Sequence, residues 1–312
     1  MILLTGLVVI ITGIGMLFLK HRTTQSSPPP ATSFEAHKTS DDLPNSVIFN
    51  YSISGLPTGH VMIQQSWDST RQEDVSANRN KHASIYYYPG YFVAKLIVNG
   101  KIQKETAVFI QTKGWKAMIR RKPMPAYLSS GETRTGRGLG IDAVTILKKT
   151  GTSVLNGTWT EFANVRPFGD TKGDNFRLET TLANTSTAEE SICRNVKITV
   201  LGKGGAIIVP LSVKGCEANL EMLTGDQLIS GREEDLSALG CNFPDFQDVT
   251  VQVSGSRLHV LINGKLAVDS TVSYTIGEIV GLRYAIEGIG TIKHVTLYSG
   301  KKAVYNENFI KD

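Results

Sequence analysis

From Ser46 almost to its end the chain is written in short runs that alternate apolar and polar residues, most of them closed by glycine, asparagine or proline. VIFNYSI, HVMIQQSW, YFVAKLIV and KIQKETAVFI come first. After Asn156 follow WTEFANVR, NFRLETTLA, ICRNVKITVL, AIIVPLSV, DVTVQVSG, RLHVLING, KLAVDSTV, EIVGLRYAI and TIKHVTLYS. A period of two sends successive side chains to opposite faces of a strand, so each run can bury one face and wet the other. Asn-Gly pairs at Asn99-Gly100 and Asn263-Gly264 suit tight hairpins, because both central residues of such a turn need positive φ. Only Ile141–Lys149, stopped by Gly151, reads as two turns of helix, with lysines at its C-terminal end. The expected fold class is all-β, in two sandwiches.

Ahead of the strands, Ile2–Leu19 (ILLTGLVVIITGIGMLFL) carries no charge and stops at Lys20-His21-Arg22. As a helix it would reach about 27 Å at roughly 1.5 Å per residue, enough to span a bilayer core. It lacks the basic start and the small-x-small site of a cleaved signal, and no cysteine follows for a lipid anchor. Residues 1–22 are therefore expected to be an N-terminal transmembrane helix, with the membrane as partner through residues 2–19. Residues 23–45, rich in Pro, Ser and Thr, read as an extended spacer. Lys20 and Arg22 argue for a cytoplasmic body by the positive-inside rule. The modules described below argue for an extracytoplasmic one, in the periplasm or at the cell surface, and that is the expectation adopted.

At 312 residues the chain has room for two folded units besides an anchor. Its net charge of +5 is concentrated: residues 101–150 hold eleven Lys/Arg against three Asp/Glu. The connector 113–155 shares much of that basic stretch and would suit an anionic lipid or a polyanionic glycan, or would serve simply as a solvated linker. No nucleic-acid motif accompanies the charge, so nucleic acid is not expected as a partner. GETRTGRGLG has no strand before it and no Gly-Lys-Ser/Thr after it, so it reads as a flexible turn, not a phosphate loop.

Within 46–112, Trp67-Asp68 and Tyr86-Tyr87-Tyr88-Pro89-Gly90-Tyr91-Phe92, followed by VAKLIV, resemble the PKD family of immunoglobulin-like modules. The family's Phe-Gly-Asp-Gly is replaced by Ser69-Thr70-Arg71-Gln72. The resemblance implies a small immunoglobulin-like β-sandwich with a buried Trp67. Within 156–312, DVTVQVSGSRLHVLINGKLAVDS and GEIVGLRYAIEGIGTIKHVTLYS resemble concanavalin A-like, laminin-G-type jelly rolls, with FGDTKGDNFRLETTL as the first core strand. Together they imply a membrane-anchored protein of the bacterial cell envelope.

Cys193, Cys216 and Cys241 show no zinc-type spacing. A two-residue turn at Gly204-Gly205 would pair Val196 with Val213, Ile198 with Leu211 and Val200 with Val209, and would put Cys193 opposite Cys216 within disulfide reach. A two-residue slip would keep the faces but leave two free thiols. Cys241 reads as a small apolar core residue.

Reaction chemistry finds little support. No strand carries the Glu-x-Asp-x-Glu spacing of a jelly-roll glycosidase, and Glu233 and Asp235 sit in a polar loop. Neither G-x-S-x-G nor H-E-x-x-H occurs, and His60, His82, His259 and His294 stand singly. Asp170 and Asp174 (GDTKGDN) offer oxygen ligands for calcium, the one cofactor considered. Trp115, near Arg120-Arg121-Lys122, and Tyr87, on the face opposite Tyr86 and Tyr88, are the aromatic candidates for a ligand. The expected function is a non-catalytic, membrane-anchored envelope protein for binding or adhesion, with a glycan or another envelope protein as partner. The alternative is a carbohydrate-active hydrolase whose carboxylates come from separate strands.

Overall fold

The computed structural model of the chain describes residues 32–57, 59–66, 68–152 and 157–310. The expected anchor, residues 23–31 of the spacer and Trp67 lie outside the described residues. Among the described residues no helix is long and apolar enough to cross a membrane.

The first body has seven strands: β1 (Ser33–Lys38), β2 (Asn45–Ser52), β3 (Val61–Gln64), β4 (Gln72–Val75), β5 (Lys81–Tyr86), β6 (Gly90–Val98) and β7 (Lys101–Ile110). They form a sandwich of two sheets, ordered β1-β2-β5 and β4-β3-β6-β7. Alternate residues Val47, Phe49 and Tyr51 of β2 face Ile63, Leu96 and Ile110 across its core. The β6–β7 turn has Asn99 at φ 51° and Gly100 at φ 75°, the two positive values its geometry demands.

Strand β1 corrects the spacer assigned to 23–45. Phe34 is buried and stacks on Phe49 with ring centres 5.2 Å apart, and Ser33 to Lys38 pair with Ser52 to Val47. The Pro/Ser/Thr composition of the stretch hides a six-residue alternation that one buried aromatic suffices to anchor.

The second body opens with β8 (Lys116–Ile119), β9 (Ala126–Leu128), helix α1 (Ser130–Thr133), β10 (Arg134–Thr135), β11 (Gly138–Gly140) and helix α2 (Ala143–Thr150). Then come β12 (Trp159–Val165), β13 (Asn175–Asn184), β14 (Val196–Gly202), β15 (Ala206–Val213), β16 (Glu221–Thr224), β17 (Leu228–Ser230) and β18 (Gly240–Cys241). The chain ends in β19 (Gln247–Ser254), β20 (Arg257–Ile262), β21 (Lys265–Thr271), β22 (Ile279–Glu287), β23 (Gly290–Ser299) and β24 (Lys302–Asn308).

One sheet runs β17-β16-β15-β14-β22-β12-β8-β9, with β18 beside β15; it is called the junction sheet below. The other, the open sheet, runs β10-β11-β23-β13-β19-β20-β21, with β24 also on β23. Late strands insert between early ones, β22 between β12 and β14, and β23 between β11 and β13. That interleaving makes a jelly-roll type of sandwich. Phe162, Phe176, Leu178, Ile198, Val251, Leu282, Tyr284 and Leu297 fill the space between the sheets.

Residues 113–155 are thus no separate connector. They supply β8 and β9 to one sheet and β10 and β11 to the other, while Leu139, Ile141 and Ile146 enter the core. The glycine-rich turn is a β10–β11 hairpin pairing Arg134 with Leu139. A side chain at Gly138 would meet the Ile292 carbonyl oxygen at 2.4 Å. Strands of two to four residues are too short to show a period. The expected helix forms as α2, with Asp142 accepting from the Thr145 N–H and Gly151 closing it at φ 75°.

The β14–β15 hairpin is slipped by two residues from the expected register: Val196 faces Leu211, Ile198 faces Val209 and Val200 faces Ile207. The Gly202 N–H donates to the Gly205 carbonyl, so the turn centres on Lys203-Gly204. A slip of two preserves which face is buried, so alternation alone does not choose between the registers. Cys193 and Cys216 nonetheless form a disulfide, with Cα atoms 5.7 Å apart. Gly215 at φ 93° and a 3-10 turn at Glu217–Asn219 fold Cys216 back towards the Cys193 end of the ladder. Cys241 is free, and burial pushes its thiol up to about 12.

The bodies are stitched together along the outward face of the junction sheet. Thr112 and Val165 exchange two hydrogen bonds, the Tyr127 hydroxyl donates to the Tyr87 carbonyl, and Met118 of β8 joins the first core.

Candidate functional site

In β13, Phe176, Leu178 and Leu182 are buried between the sheets, so Arg177, Glu179 and Thr181 must face outward. Strand registers carry that choice across the open sheet. Tyr298 pairs with Arg177, Arg177 with Gln252, Gln252 with His259, and His259 with Asp269. Five hydrogen-bonding side chains from five strands therefore stand in one row, about 19 Å long at the usual strand spacing of ~4.8 Å. Beside it run Thr296, Glu179 and Thr250, then His294, Thr181 and Asp248. The first body packs on the other sheet and leaves this face uncovered.

The row is internally organised. The Arg177 guanidinium carbon lies 4.1 Å from the centre of the Tyr298 ring. Its Nε is 2.8 Å from Glu179 Oε1, yet its N–H has no aligned acceptor. Asp269 pairs with Arg257 and lies 3.3 Å from His259 Nε2. His294 Nε2 is 3.0 Å from Asn306 Oδ1 and 2.9 Å from Thr296 Oγ1, and the Thr181 hydroxyl donates to Asp248 at 2.7 Å. These groups can donate, accept or do both, and the guanidinium and ring add flat faces.

Four of the sequence-predicted residues fall elsewhere. Trp115, expected as an exposed platform, is half-buried against the second core, its ring 5.6 Å from Tyr284 and 5.8 Å from Phe309. Its Nε1–H donates to the Tyr305 hydroxyl at 2.7 Å and to Glu307 at 3.1 Å. Burial, with Glu307 second, holds the Tyr305 hydroxyl well above its ordinary pKa. Trp115 thus closes the sandwich edge beside β24; the partners that claim it lie some 190 residues on and give no local signal. Tyr87 is half-buried at the junction of the bodies, its carbonyl taken by Tyr127. Asp170 and Asp174 are exposed at the rim, and among the described residues no group of three or more His, Cys, Asp or Glu is placed to hold a metal.

His259 and His294, read as ordinary histidines, lie on the polar face. The signal was present: in NFRLETTLA, DVTVQVSG and RLHVLI the outward positions follow from the alternation. No acidic pair on one strand and no tryptophan marks these positions as a site.

A second constellation lies on the junction sheet. Glu161 of β12 is only 2% exposed. One oxygen is held by Arg120, while the other has Arg283 Nε at 3.7 Å and no hydrogen-bond partner. Arg283 spends a terminal NH2 on the Pro89 carbonyl of the first body, 2.6 Å away. Burial, and after it the Glu161 charge, raises the pKa of the neighbouring Tyr88.

No family model matches the chain, and no curated protein matches it in sequence. Among solved structures it is similar to the carbohydrate binding module CBM66 from Bacillus subtilis, at 10% identity and a TM-score of 0.33 over 53% of this chain and 94% of that one. It is also similar to the exoplasmic/lumenal domain of VIP36 in its Ca2+/Man3GlcNAc-bound form, at 13% and 0.33 over 49% and 81%. An alginate lyase from Corynebacterium sp. follows at 9% and 0.29 over 57% and 94%. At those scores the fold rests on the strand order above, and the function on the site.

Proposed function

We propose that this chain is a saccharide-binding protein whose recognition surface is the outward face of the open sheet. The row Tyr298–Arg177–Gln252–His259–Asp269 carries this reading. Sugar hydroxyls both donate and accept. A surface that serves them needs side chains of both kinds at regular spacing, held by a rigid support. Five neighbouring strands supply that spacing. In this reading the first body, with its PKD-like corner at Tyr86–Phe92, is a spacer or protein contact. Ile2–Leu19 anchors the protein in the membrane with the body on the extracytoplasmic side, where a disulfide such as Cys193–Cys216 persists.

Binding without turnover is favoured because each carboxylate of the face is already engaged: Glu179 is ion-paired with Arg177, Asp269 is paired with Arg257, and Asp248 accepts from the Thr181 hydroxyl. One observation favours the hydrolase reading. Glu179 and Asp248 stand diagonally on adjacent strands, a relation that sets residues about 7–8 Å apart, near the separation used by inverting glycosidases.

A glycan array with the full chain in neutral detergent tests the proposal. Binding to a defined class of oligosaccharide is expected, weakened about tenfold in Gln252→Ala, the order of one lost hydrogen bond. Equal binding by the variant would reject the surface. Reducing ends released by the wild type but not by Glu179→Gln would move the assignment to hydrolysis.

A further inference from the structure

The junction sheet presents a surface of a different kind. Trp159, at the start of β12, is half-buried, with the Arg120 guanidinium carbon 5.5 Å and Lys197 Nζ 5.8 Å from its ring centre. The cations arrive from different strands. The Arg120 N–H donates to the Trp159 carbonyl beyond the end of β8. Lys197 of β14 reaches over β22, where the residue between it and Glu161 in register is the small Ala285.

Two carboxylates lie close by, and both are turned inward. Glu161 takes Arg120 Nε and is closed off from solvent. Glu287, beside Trp159 in register, is buried and accepts from the Gly157 N–H and the Asn195 amide, each at 2.7 Å. What faces outward is positive. Among the described residues Lys197 has no carboxylate within 4 Å, and the terminal nitrogens of Arg120, 43% exposed, have no hydrogen-bond partner. Arg121, fixed on the Lys149 carbonyl at the end of α2, continues the charge with the exposed Lys122 and Lys148. An indole face attracts each cation, but two like charges on one ring repel each other, and an arriving anion relieves that repulsion.

We propose that this Trp159-centred platform docks an acidic polysaccharide, whose carboxylates pair with Lys197 and the free NH2 groups of Arg120. A polymer fits better than a bilayer because the Tyr88-Pro89 corner stands on the same sheet, held by Arg283, and makes the platform a ledge beside a wall. This surface lies on the opposite sheet from the saccharide row and stands or falls independently of it.

The test titrates the full chain in neutral detergent with polygalacturonate and, in parallel, with uncharged dextran. Binding of the polyuronate alone is expected, weakening as salt rises. Lys197→Glu should weaken it about tenfold, the order of one or two exposed charge pairs, with Gln252→Ala unaffected. Because Arg120 neutralises a buried glutamate, it is removed as the pair Arg120→Gln/Glu161→Gln, and the same loss is expected. Wild-type affinity in Lys197→Glu, or no polyuronate binding at all, overturns the proposal. So does a polyuronate-silent protein that co-floats with phosphatidylglycerol vesicles more strongly than Lys197→Glu does, which would give the platform to a membrane.

Discussion

Arg177 lies over Tyr298, its guanidinium carbon 4.1 Å from the ring centre, on strands whose sequence positions are separated by more than a hundred residues. The contact fixes both planar groups on the uncovered face. A lysine would keep the charge and lose the plane and the fork of donors. Arg177→Lys is therefore expected to weaken oligosaccharide binding several-fold while the melting temperature moves little. Calorimetric titration beside thermal unfolding checks both halves.

Glu161 holds the two bodies in register through Arg283 and the Pro89 carbonyl. Removing one member of a buried ion cluster strands the others, at a cost of about 3 kcal/mol. Glu161→Gln should lower stability by that order and expose the junction near Pro89 to protease. Urea unfolding and limited proteolysis measure the two effects; wild-type behaviour in both would contradict the role.

Glu132 pairs with Lys149 and accepts from the Ser129 N–H and hydroxyl, and these contacts, Lys149 first, hold its pKa down at about 2 against an ordinary 4.5. A depressed carboxylate favours folding fully above its unfolded value and loses that contribution as pH falls from about 4.5 towards 2. The melting-temperature gap between wild type and Glu132→Gln should therefore be widest near neutrality and shrink across that window. A gap that stays constant with pH would show that the charge is not involved.

Trp115→Phe keeps most of the ring packing and removes the donor to Tyr305 and Glu307. Leaving those acceptors without it should cost about 1–3 kcal/mol. Saccharide binding should be unchanged, because the residue is not on the open face. Denaturation and titration of the same variant separate the two outcomes.

Much of the fold could be read from alternation. The strands beyond Asn156, the Asn-Gly turns and the helix ended by Gly151 all declare themselves locally. What alternation withholds is neighbourhood. Nothing near Arg177 says that Tyr298 and Gln252 will flank it, so the row becomes visible only when β23, β13 and β19 are laid side by side. The β14–β15 slip keeps every side chain on its face, so periodicity does not reveal it. Strand β1 and the connector strands are missed because Pro/Ser/Thr composition or sheer brevity outweighs two or three correctly placed apolar residues. Trp115 reads as exposed because its neighbours in sequence are basic, whereas its partners in space are aromatic.

The most direct test of the saccharide surface is backbone chemical-shift mapping of the full chain with an oligosaccharide that binds it. If the open sheet is the recognition face, the amides that move cluster around Arg177, Gln252, His259 and Tyr298 on four adjacent strands. Shifts confined to the first body or to the junction sheet, with those four unmoved, would contradict it.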